Sequence, residues 1–184
     1  EVAAARAAGI AVLKRAEFLG TLMEGKTGIA VAGTHGKTTT TAMIAWMLSA
    51  LGEEPTFICG GVVNNLGVNA RSGKGKAFVI EADEYDRMFL GLKPAIAVVL
   101  NVEHDHPDCY PSSEDYQAAF VDFAGLLPAE GTLVFCAEDA GARQVAKLVQ
   151  PAGQQAVAYG WRQHEHLPAK ATALARDLQA NPAG

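Results

Sequence analysis

The chain has 184 residues, of which 49% are hydrophobic and 19% are charged, a composition typical of one globular domain with a substantial core. Its net charge of −5, without any run of lysine and arginine, argues against nucleic acid or an anionic membrane as the main partner. No apolar stretch reaches the roughly 20 residues of a membrane helix. Three cysteines, a small and odd number, fit a reducing compartment, so we expect a cytoplasmic protein.

Residues 1–24 are alanine-rich and predict a helical lead-in or linker to the domain that follows. A short strand over residues 9–12, ahead of the helix, is the alternative. The chain begins at Glu1 and ends on a loose polar run, so we expect a fragment of a longer protein. The predicted apolar face of the lead-in helix comprises Val12, Leu13, Phe18, Leu19, Leu22 and Met23.

A glycine loop, G-T-H-G-K-T, joins an apolar run over residues 29–32 to a helical pattern. Such a strand, loop and helix turn backbone N–H groups and the positive end of the helix dipole toward one point. Lys37 adds a full positive charge, and the hydroxyl of Thr38 can reach a magnesium ion, so we expect nucleotide binding. The alternative is an ordinary turn with a solvated lysine, since Val31 stands where the common motif has glycine. The predicted phosphate-binding residues are Gly33, Thr34, His35, Gly36, Lys37, Thr38 and Thr39.

Helical and strand patterns alternate through the rest of the chain. A helix is predicted over residues 39–51, closed by Gly52, with Met43, Trp46 and Met47 in the core. Further helices are predicted over 113–126, with Ser112 as N-cap, and over 140–149. Strands are predicted over 56–59, 77–80, 95–100, 132–136 and 156–159. Residues 64–73 read as an Asn- and Gly-rich loop, either flexible or approaching a ligand, and the order beyond Trp161 stays unassigned.

Apolar strands that alternate with helices predict an α/β fold, a mostly parallel sheet with helices on both faces, similar to phosphate-loop NTPases. Three polar clusters follow the C-terminal ends of predicted strands: the glycine loop, residues 81–86 and residues 101–106. Ligands of parallel sheets bind beyond those strand ends. The sequence therefore predicts that the three clusters form one site.

Residues 81–86 carry four carboxylates, which repel one another and favour a cation. Magnesium prefers oxygen ligands and phosphates, so beside the glycine loop a metal site is favoured over a solvated acidic turn. His104 and His106, with Cys109 nearby, allow a zinc site or an idle surface pair. A histidine that serves a second metal or the transferred phosphate is the favoured interpretation.

Three motifs, AGTHGKTTTT, EADEYD and NVEHDH, occur in this order and resemble the central ATP-binding domain of the Mur ligases of peptidoglycan synthesis. The likeness spans about residues 1–160 and is greatest to the members that add L-alanine to UDP-N-acetylmuramate. The segment G-x-N-A-R-x-G, residues 67–73, is also similar, and it marks Asn69 and Arg71 as candidate substrate-binding residues.

This resemblance implies an ATP-dependent amide-bond ligase that forms an acyl phosphate on UDP-N-acetylmuramate, which the amino group of L-alanine then attacks. ATP and Mg²⁺ would be its cofactors. Lys37, Glu81 and His106 would be the catalytic residues. Lys37 would hold the β- and γ-phosphates, Thr38 and Glu81 the first magnesium, and His106 the second.

The resemblance also implies that residues 25–184 form the central domain, incomplete at its C-terminus, without the UDP-binding and amino-acid-binding domains. Such a fragment is expected to be inactive by itself. The carbamoylated lysine of some relatives is excluded, because no lysine lies between Lys93 and Lys147. Two alternatives stay open: the related ligase that attaches a tripeptide to UDP-N-acetylmuramate, and a nucleotide switch that hydrolyses NTP. The oligomeric state is not predicted.

Overall fold

The computed structural model describes residues 1–149, 154–160 and 171–174, the last range by its backbone alone. Its helices are α1 (Val2–Ala7), α2 (Arg15–Leu22), α3 (Lys37–Ala50), α4 (Ser113–Ala124) and α5 (Ala140–Val149), with a 3-10 segment over Tyr85–Gly91. Its strands are β1 (Thr27–Ala32), β2 (Thr56–Val63), β3 (Val68–Arg71), β4 (Ala77–Glu81), β5 (Ile96–Val99), β6 (Thr132–Cys136), β7 (Gln155–Gly160) and β8 (Ala171–Leu174).

The described strands form one sheet in the order β3-β2-β4-β1-β5-β6-β7-β8. Of these eight strands, only β3 runs antiparallel to its neighbour, which confirms the predicted mostly parallel sheet. β1 pairs with β4 on one side and with β5 on the other. The three predicted polar clusters follow these three adjacent strands, so the topology brings them to one edge of the sheet.

Helices cover the sheet on both faces, as predicted, because side chains alternate between two cores along each strand. Phe78 and Ile80 of β4 point into the larger core, which α4 and α5 cover. Val79, between them, points into a smaller core with Ala45 of α3 and Phe57 of β2. In the larger core, the rings of Phe89, Phe120 and Phe123 pack together.

The lead-in segment differs from its prediction. It forms two short helices, α1 and α2, and residues 10–13 between them are not a strand. Only Met23 of the expected apolar face is buried, and Leu19 is half-buried; the other four, Val12, Leu13, Phe18 and Leu22, are 41–51% exposed. Two helices of six and eight residues present too little of one continuous face to the sheet to bury the whole set.

Helix α3 begins at Lys37, and Gly52 follows its last turn with φ of +81°, as a glycine C-terminal cap requires. The prediction that Met43, Trp46 and Met47 lie in the core was wrong, because they are 56%, 39% and 50% exposed. Thr41 and Ala45 of α3 are the fully buried residues. The helix therefore packs one face against the sheet, with Ile44 and Leu48 partly buried there, and turns the other three large residues outward.

The second predicted strand is longer than expected and continues through Gly60 and Gly61 to Val63. The region predicted as a polar loop contains a strand, β3, which pairs antiparallel with β2. The remaining predicted helices and strands are confirmed. Ser112 caps α4 as predicted, because its hydroxyl oxygen accepts a hydrogen bond from the Asp115 N–H at 3.1 Å. The C-terminal run 179–184 lies outside the described residues. Within the described part of the chain, no helix is long and apolar enough to cross a membrane.

Candidate active site

The glycine loop lies between β1 and α3, and its two glycines adopt conformations that L side chains rarely take. Gly36, which caps α3, has φ of +85°, and Gly33 has φ of +148°. A Cβ atom on Gly33 would lie 2.9 Å from Cβ of Leu100. The loop thus needs glycine at both positions, and α3 directs its N-terminus to the same point.

Side chains from the segment after β5 hold the loop in place. Asn101 accepts from the N–H of His35 at 2.8 Å and donates to its carbonyl oxygen at 3.1 Å. The buried hydroxyl of Thr34 pairs with the backbone N–H and C=O of Glu103, both at 2.9 Å, and lies 3.1 Å from the Tyr116 hydroxyl. Asn101 was not among the predicted site residues, although its place at a strand end was a signal that could have marked it.

Lys37, in the first turn of α3, folds its side chain back toward the loop. Its ammonium group donates to the carbonyl oxygens of Gly33 and Thr34 at 2.7 and 3.2 Å. It also lies 3.0 Å from both carboxylate oxygens of Glu84, a side chain only 1% exposed. The pairing with Glu84 was not predicted, because it depends on how the segment after β4 returns to the loop.

Thr38 and Glu81 are brought together as the sequence suggested. The Thr38 hydroxyl donates to one carboxylate oxygen of Glu81 at 3.0 Å, and the Gly60 N–H donates to the other at 2.7 Å. A hydroxyl and a carboxylate at the phosphate loop are oxygen ligands of the kind that magnesium takes. The donor set therefore fits a magnesium ion shared with nucleotide phosphates.

His106 lies at the same edge, with the left-handed φ of +53°. Its Nε2 atom is 3.6 Å from Oε1 of Glu84 and 3.9 Å from Oδ2 of Asp105. His104 has its Nε2 atom 2.8 Å from the carbonyl oxygen of Tyr110. Among the described residues, no cluster of three or more His, Cys, Asp and Glu side chains could hold a metal. The zinc interpretation of this region therefore gains no support, and His106 joins the network of Lys37.

Tyrosines surround this network. The Tyr85 ring meets the His106 ring edge-on at 5.2 Å, and its hydroxyl donates to Asp108 at 2.9 Å. That hydrogen bond raises the pKa of Tyr85 to about 12 and lowers the pKa of Asp108. Burial raises the pKa of Tyr116, whose hydroxyl lies 3.3 Å from the Glu84 carboxylate. Tyr116 therefore stays a neutral donor toward Glu84.

The remaining predicted site residues lie outside this cluster. Thr39 is exposed in the first turn of α3, and Asn69 is exposed on β3. The Arg71 guanidinium donates to the Ser49 hydroxyl at 2.8 Å and lies 5.4 Å from the ring centre of Phe57. Ser49 stands near the end of α3, about 16 Å along the helix axis from Thr38 at 1.5 Å per residue. The structure thus places Arg71 away from the phosphate loop.

A glycine loop between a central parallel strand and a helix, with Lys-Thr at its end and a carboxylate on the neighbouring strand, defines a phosphate-loop nucleotide-binding domain of the α/β class. The comparison with known proteins makes this class specific. Residues 31–182 match the model of the Mur ligase middle domain, and the chain belongs to that family. The family predicted from the three motifs is confirmed.

Two curated relatives illustrate the similarity. The UDP-N-acetylmuramate–L-alanine ligase of Renibacterium salmoninarum is 51% identical over 160 residues, covering 87% of this chain and 34% of the relative. That of Chlorobium phaeobacteroides is 48% identical over 179 residues, covering 97% of this chain and 37% of the relative. The chain spans about a third of the length of these relatives.

Solved structures give the same result. The UDP-N-acetylmuramate:L-alanyl-γ-D-glutamyl-meso-diaminopimelate ligase of Neisseria meningitides superposes with a TM-score of 0.75 at 30% identity, over 86% of this chain and 54% of that one. The UDP-N-acetylmuramate–alanine ligase of Thermotoga maritima gives a TM-score of 0.65 at 29% identity, over 85% of this chain and 35% of that one.

Proposed function

We propose that this chain is the ATP-binding part of a cytoplasmic ligase that joins L-alanine to UDP-N-acetylmuramate. The observation that carries the proposal is the Thr38–Glu81 contact of 3.0 Å beside the glycine loop, since it sets a hydroxyl and a carboxylate where a magnesium nucleotide needs them. The names of the curated relatives support the choice of L-alanine and of UDP-N-acetylmuramate.

In the proposed reaction, the carboxylate of UDP-N-acetylmuramate attacks the γ-phosphate of ATP, and ADP leaves. The amino group of L-alanine then attacks the acyl phosphate, and phosphate leaves as the amide bond forms. Phosphoryl transfer depends chiefly on positioning and on stabilising negative charge. The backbone N–H groups of the loop and the ammonium of Lys37 would hold the phosphates.

Magnesium would be held by Thr38 and Glu81, with a second ion at His106, and it would neutralise charge on the phosphates. The residues of the chain orient the site. Asn101 and Thr34 keep the loop in its binding conformation, and the Gly60 N–H fixes the Glu81 carboxylate. Residues 25–184 would supply this half of the active site, and UDP and amino-acid binding would belong to other domains of a longer enzyme.

A ligase that attaches a tripeptide to UDP-N-acetylmuramate is the second candidate, because a solved structure of that type is similar over 86% of this chain. The short connection between the acidic motif and β5 favours the alanine-adding ligase. The 3-10 segment Tyr85–Gly91 begins within the motif, and only residues 92–95 separate it from β5. The candidate substrate-binding residues Asn69 and Arg71 remain proposals.

The test is calorimetric titration of the chain with ATP in the presence of Mg²⁺. We expect wild-type protein to bind, and Lys37→Ala and Glu81→Ala to lose most of that binding. Glu53→Gln, which removes an exposed charge beyond α3, serves as the control and keeps it. Equal binding by wild type and both site variants would contradict the proposal.

Turnover separates the ligase from a nucleotide switch. With ATP alone the chain should release negligible phosphate, since a ligase transfers the γ-phosphate to an acyl acceptor. A switch protein would hydrolyse ATP slowly by itself. Phosphate release that proceeds without UDP-N-acetylmuramate, and that Lys37→Ala abolishes, would favour the switch.

A further inference from the structure

Glu84 is a buried carboxylate at the centre of the site, and the proposed mechanism gives it no part. Only 1% of it is exposed. Lys37 lies 3.0 Å from its carboxylate, the Tyr116 hydroxyl 3.3 Å and His106 Nε2 3.6 Å. The Tyr110 hydroxyl donates to its backbone carbonyl oxygen. Four side chains thus converge on one glutamate.

All three N–H donors of Lys37 are engaged with the protein. Two go to the loop carbonyl oxygens of Gly33 and Thr34, and the third goes to Glu84. An ammonium group has three donors and no more. A phosphate can therefore accept a hydrogen bond from Lys37 only if one of these contacts is lost or lengthened.

The contact with Glu84 is the one in competition with phosphate. The two loop carbonyls are neutral, whereas the Glu84 carboxylate is charged, so its attraction for the ammonium group opposes that of the phosphates. If Lys37 turns away, Glu84 keeps the hydrogen bond from the Tyr116 hydroxyl. The carboxylate then keeps a hydrogen-bond donor but loses its ion pair, and this cost weakens the binding of phosphate.

We propose that Glu84 is a positioning residue that competes with the nucleotide phosphates for Lys37. It holds the ammonium group beside the loop in the nucleotide-free protein and weakens the binding of nucleotides with β- and γ-phosphates. A ligase must release ADP after every cycle, and a competitor for Lys37 favours that release. This inference rests on the nucleotide-binding function proposed above.

The experiment compares wild type, Glu84→Gln, Lys37→Ala and the double variant, titrated with ATP, ADP, AMP and tripolyphosphate in Mg²⁺. Glutamine keeps the size of the side chain and an acceptor for Tyr116 but removes the charge. We expect Glu84→Gln to tighten ATP, ADP and tripolyphosphate binding by roughly tenfold, the effect of one charged hydrogen bond. The affinity for AMP should stay unchanged. In the Lys37→Ala background, Glu84→Gln should no longer increase the affinity for ATP, ADP or tripolyphosphate.

A second measurement does not need a nucleotide. Lys37 should react slowly with acetic anhydride in the wild type, relative to Lys93, whose side chain is 58% exposed. In Glu84→Gln, mass spectrometry should find Lys37 labelled several times faster, with the labelling of Lys93 unchanged. Circular dichroism and the melting temperature verify that the variant is folded, and Glu84→Asp provides a charged second variant if it is not.

Several results would overturn the inference. Folded Glu84→Gln would bind ATP, ADP and tripolyphosphate more weakly than wild type, or its affinity for AMP would change as much as its affinity for ATP. Alternatively, the increase in affinity would persist in the Lys37→Ala background, or the rate at which Lys37 is labelled would not change. Equal ATP affinity of wild type and folded Glu84→Gln, with binding weakened in Lys37→Ala, rejects the competition alone. Absence of binding of ATP and of tripolyphosphate by wild type and variant alike rejects the nucleotide function together with the competition.

Discussion

The Thr38 hydroxyl donates to the Glu81 carboxylate at 3.0 Å, which joins the first turn of α3 to the last residue of β4. The two residues are distant in sequence and meet because β1, which leads into the loop, pairs directly with β4. The contact fixes a hydroxyl oxygen and a carboxylate oxygen beside the loop. We expect this contact to make the proposed metal dependence of nucleotide binding sensitive to a single hydroxyl.

We therefore expect Thr38→Ala to raise the Mg²⁺ concentration needed for half-maximal ATP binding by roughly tenfold, as removal of a metal-site group does. Thr38→Ser keeps the hydroxyl and should stay near wild type. The measurement is ATP binding at a series of Mg²⁺ concentrations. An equal shift in the Ala and Ser variants would show that the methyl group, not the hydroxyl, is responsible.

Replacement of Gly36 tests the loop conformation separately from backbone strain. Gly36 has φ of +85° at the loop, and Gly52 has φ of +81° after α3, with open space around its Cβ position. Alanine at either site should lower the free energy of unfolding by about 1 kcal/mol. Only Gly36→Ala should also weaken ATP binding. Urea unfolding and calorimetry measure the two effects, and equal loss of binding in both variants would contradict this assignment.

The Phe89 ring should be essential to the larger core. It stacks on Phe123 at 4.8 Å and meets Phe120 edge-on at 5.4 Å. Phe89→Ala should lower the free energy of unfolding by about 3–5 kcal/mol, because it leaves a cavity. Phe18→Ala, at a side chain that is 51% exposed, should change it by less than about 0.5 kcal/mol. Urea denaturation compares them, and similar losses would mean that Phe18 is buried in solution.

The Tyr85–Asp108 hydrogen bond gives a pH dependence of known sign. It raises the pKa of Tyr85 from 10.0 to about 12 and lowers that of Asp108 below 3.8. The Asp108 contribution to stability is thus present above pH 3.8 and lost as the pH falls through the lowered pKa. The Tyr85 contribution is present below pH 10 and lost as the pH rises through about 12.

In Tyr85→Phe, the pKa of Asp108 should return upward toward its ordinary value. Carbon NMR of the carboxyl groups measures this titration. Glu114, whose pKa is lowered chiefly by hydrogen bonding to its own backbone N–H, is an internal control that should not move. An unchanged Asp108 titration in the variant would mean that the hydrogen bond does not form in solution.

The sequence was sufficient for the parts of this protein whose signals are local. Glycine, lysine and threonine follow one another in the loop, and each apolar strand is a short continuous run of residues. The loop and these strands were therefore predicted at nearly the right residues. The acidic and histidine motifs were placed correctly as well, because parallel strands end at one edge of the sheet. The family followed from the order of the motifs.

Predictions failed where the outcome depends on what packs against a segment. Met43, Trp46 and Met47 have helical spacing, but the sheet contacts the opposite face of α3, where Thr41 and Ala45 are fully buried. Glu84 was one of four carboxylates in a motif, and nothing local distinguished it as the one that is buried against Lys37. Its selection depends on the turn that follows β4, with left-handed residues at Asp86 and Arg87.

The central position of β1 has a consequence for synthesis on the ribosome. β1 carries the glycine loop, yet both of its partners, Ala77–Glu81 and Ile96–Val99, are made much later. The nascent strand therefore has no neighbour in the sheet until the chain has emerged as far as Glu81, and it is paired on both edges only after Val99 has emerged. The phosphate loop is made early, but the contacts that hold it come from Asn101 and Glu103, so it can become ordered only after those residues emerge, and until then the unpaired apolar strand is open to chaperone binding.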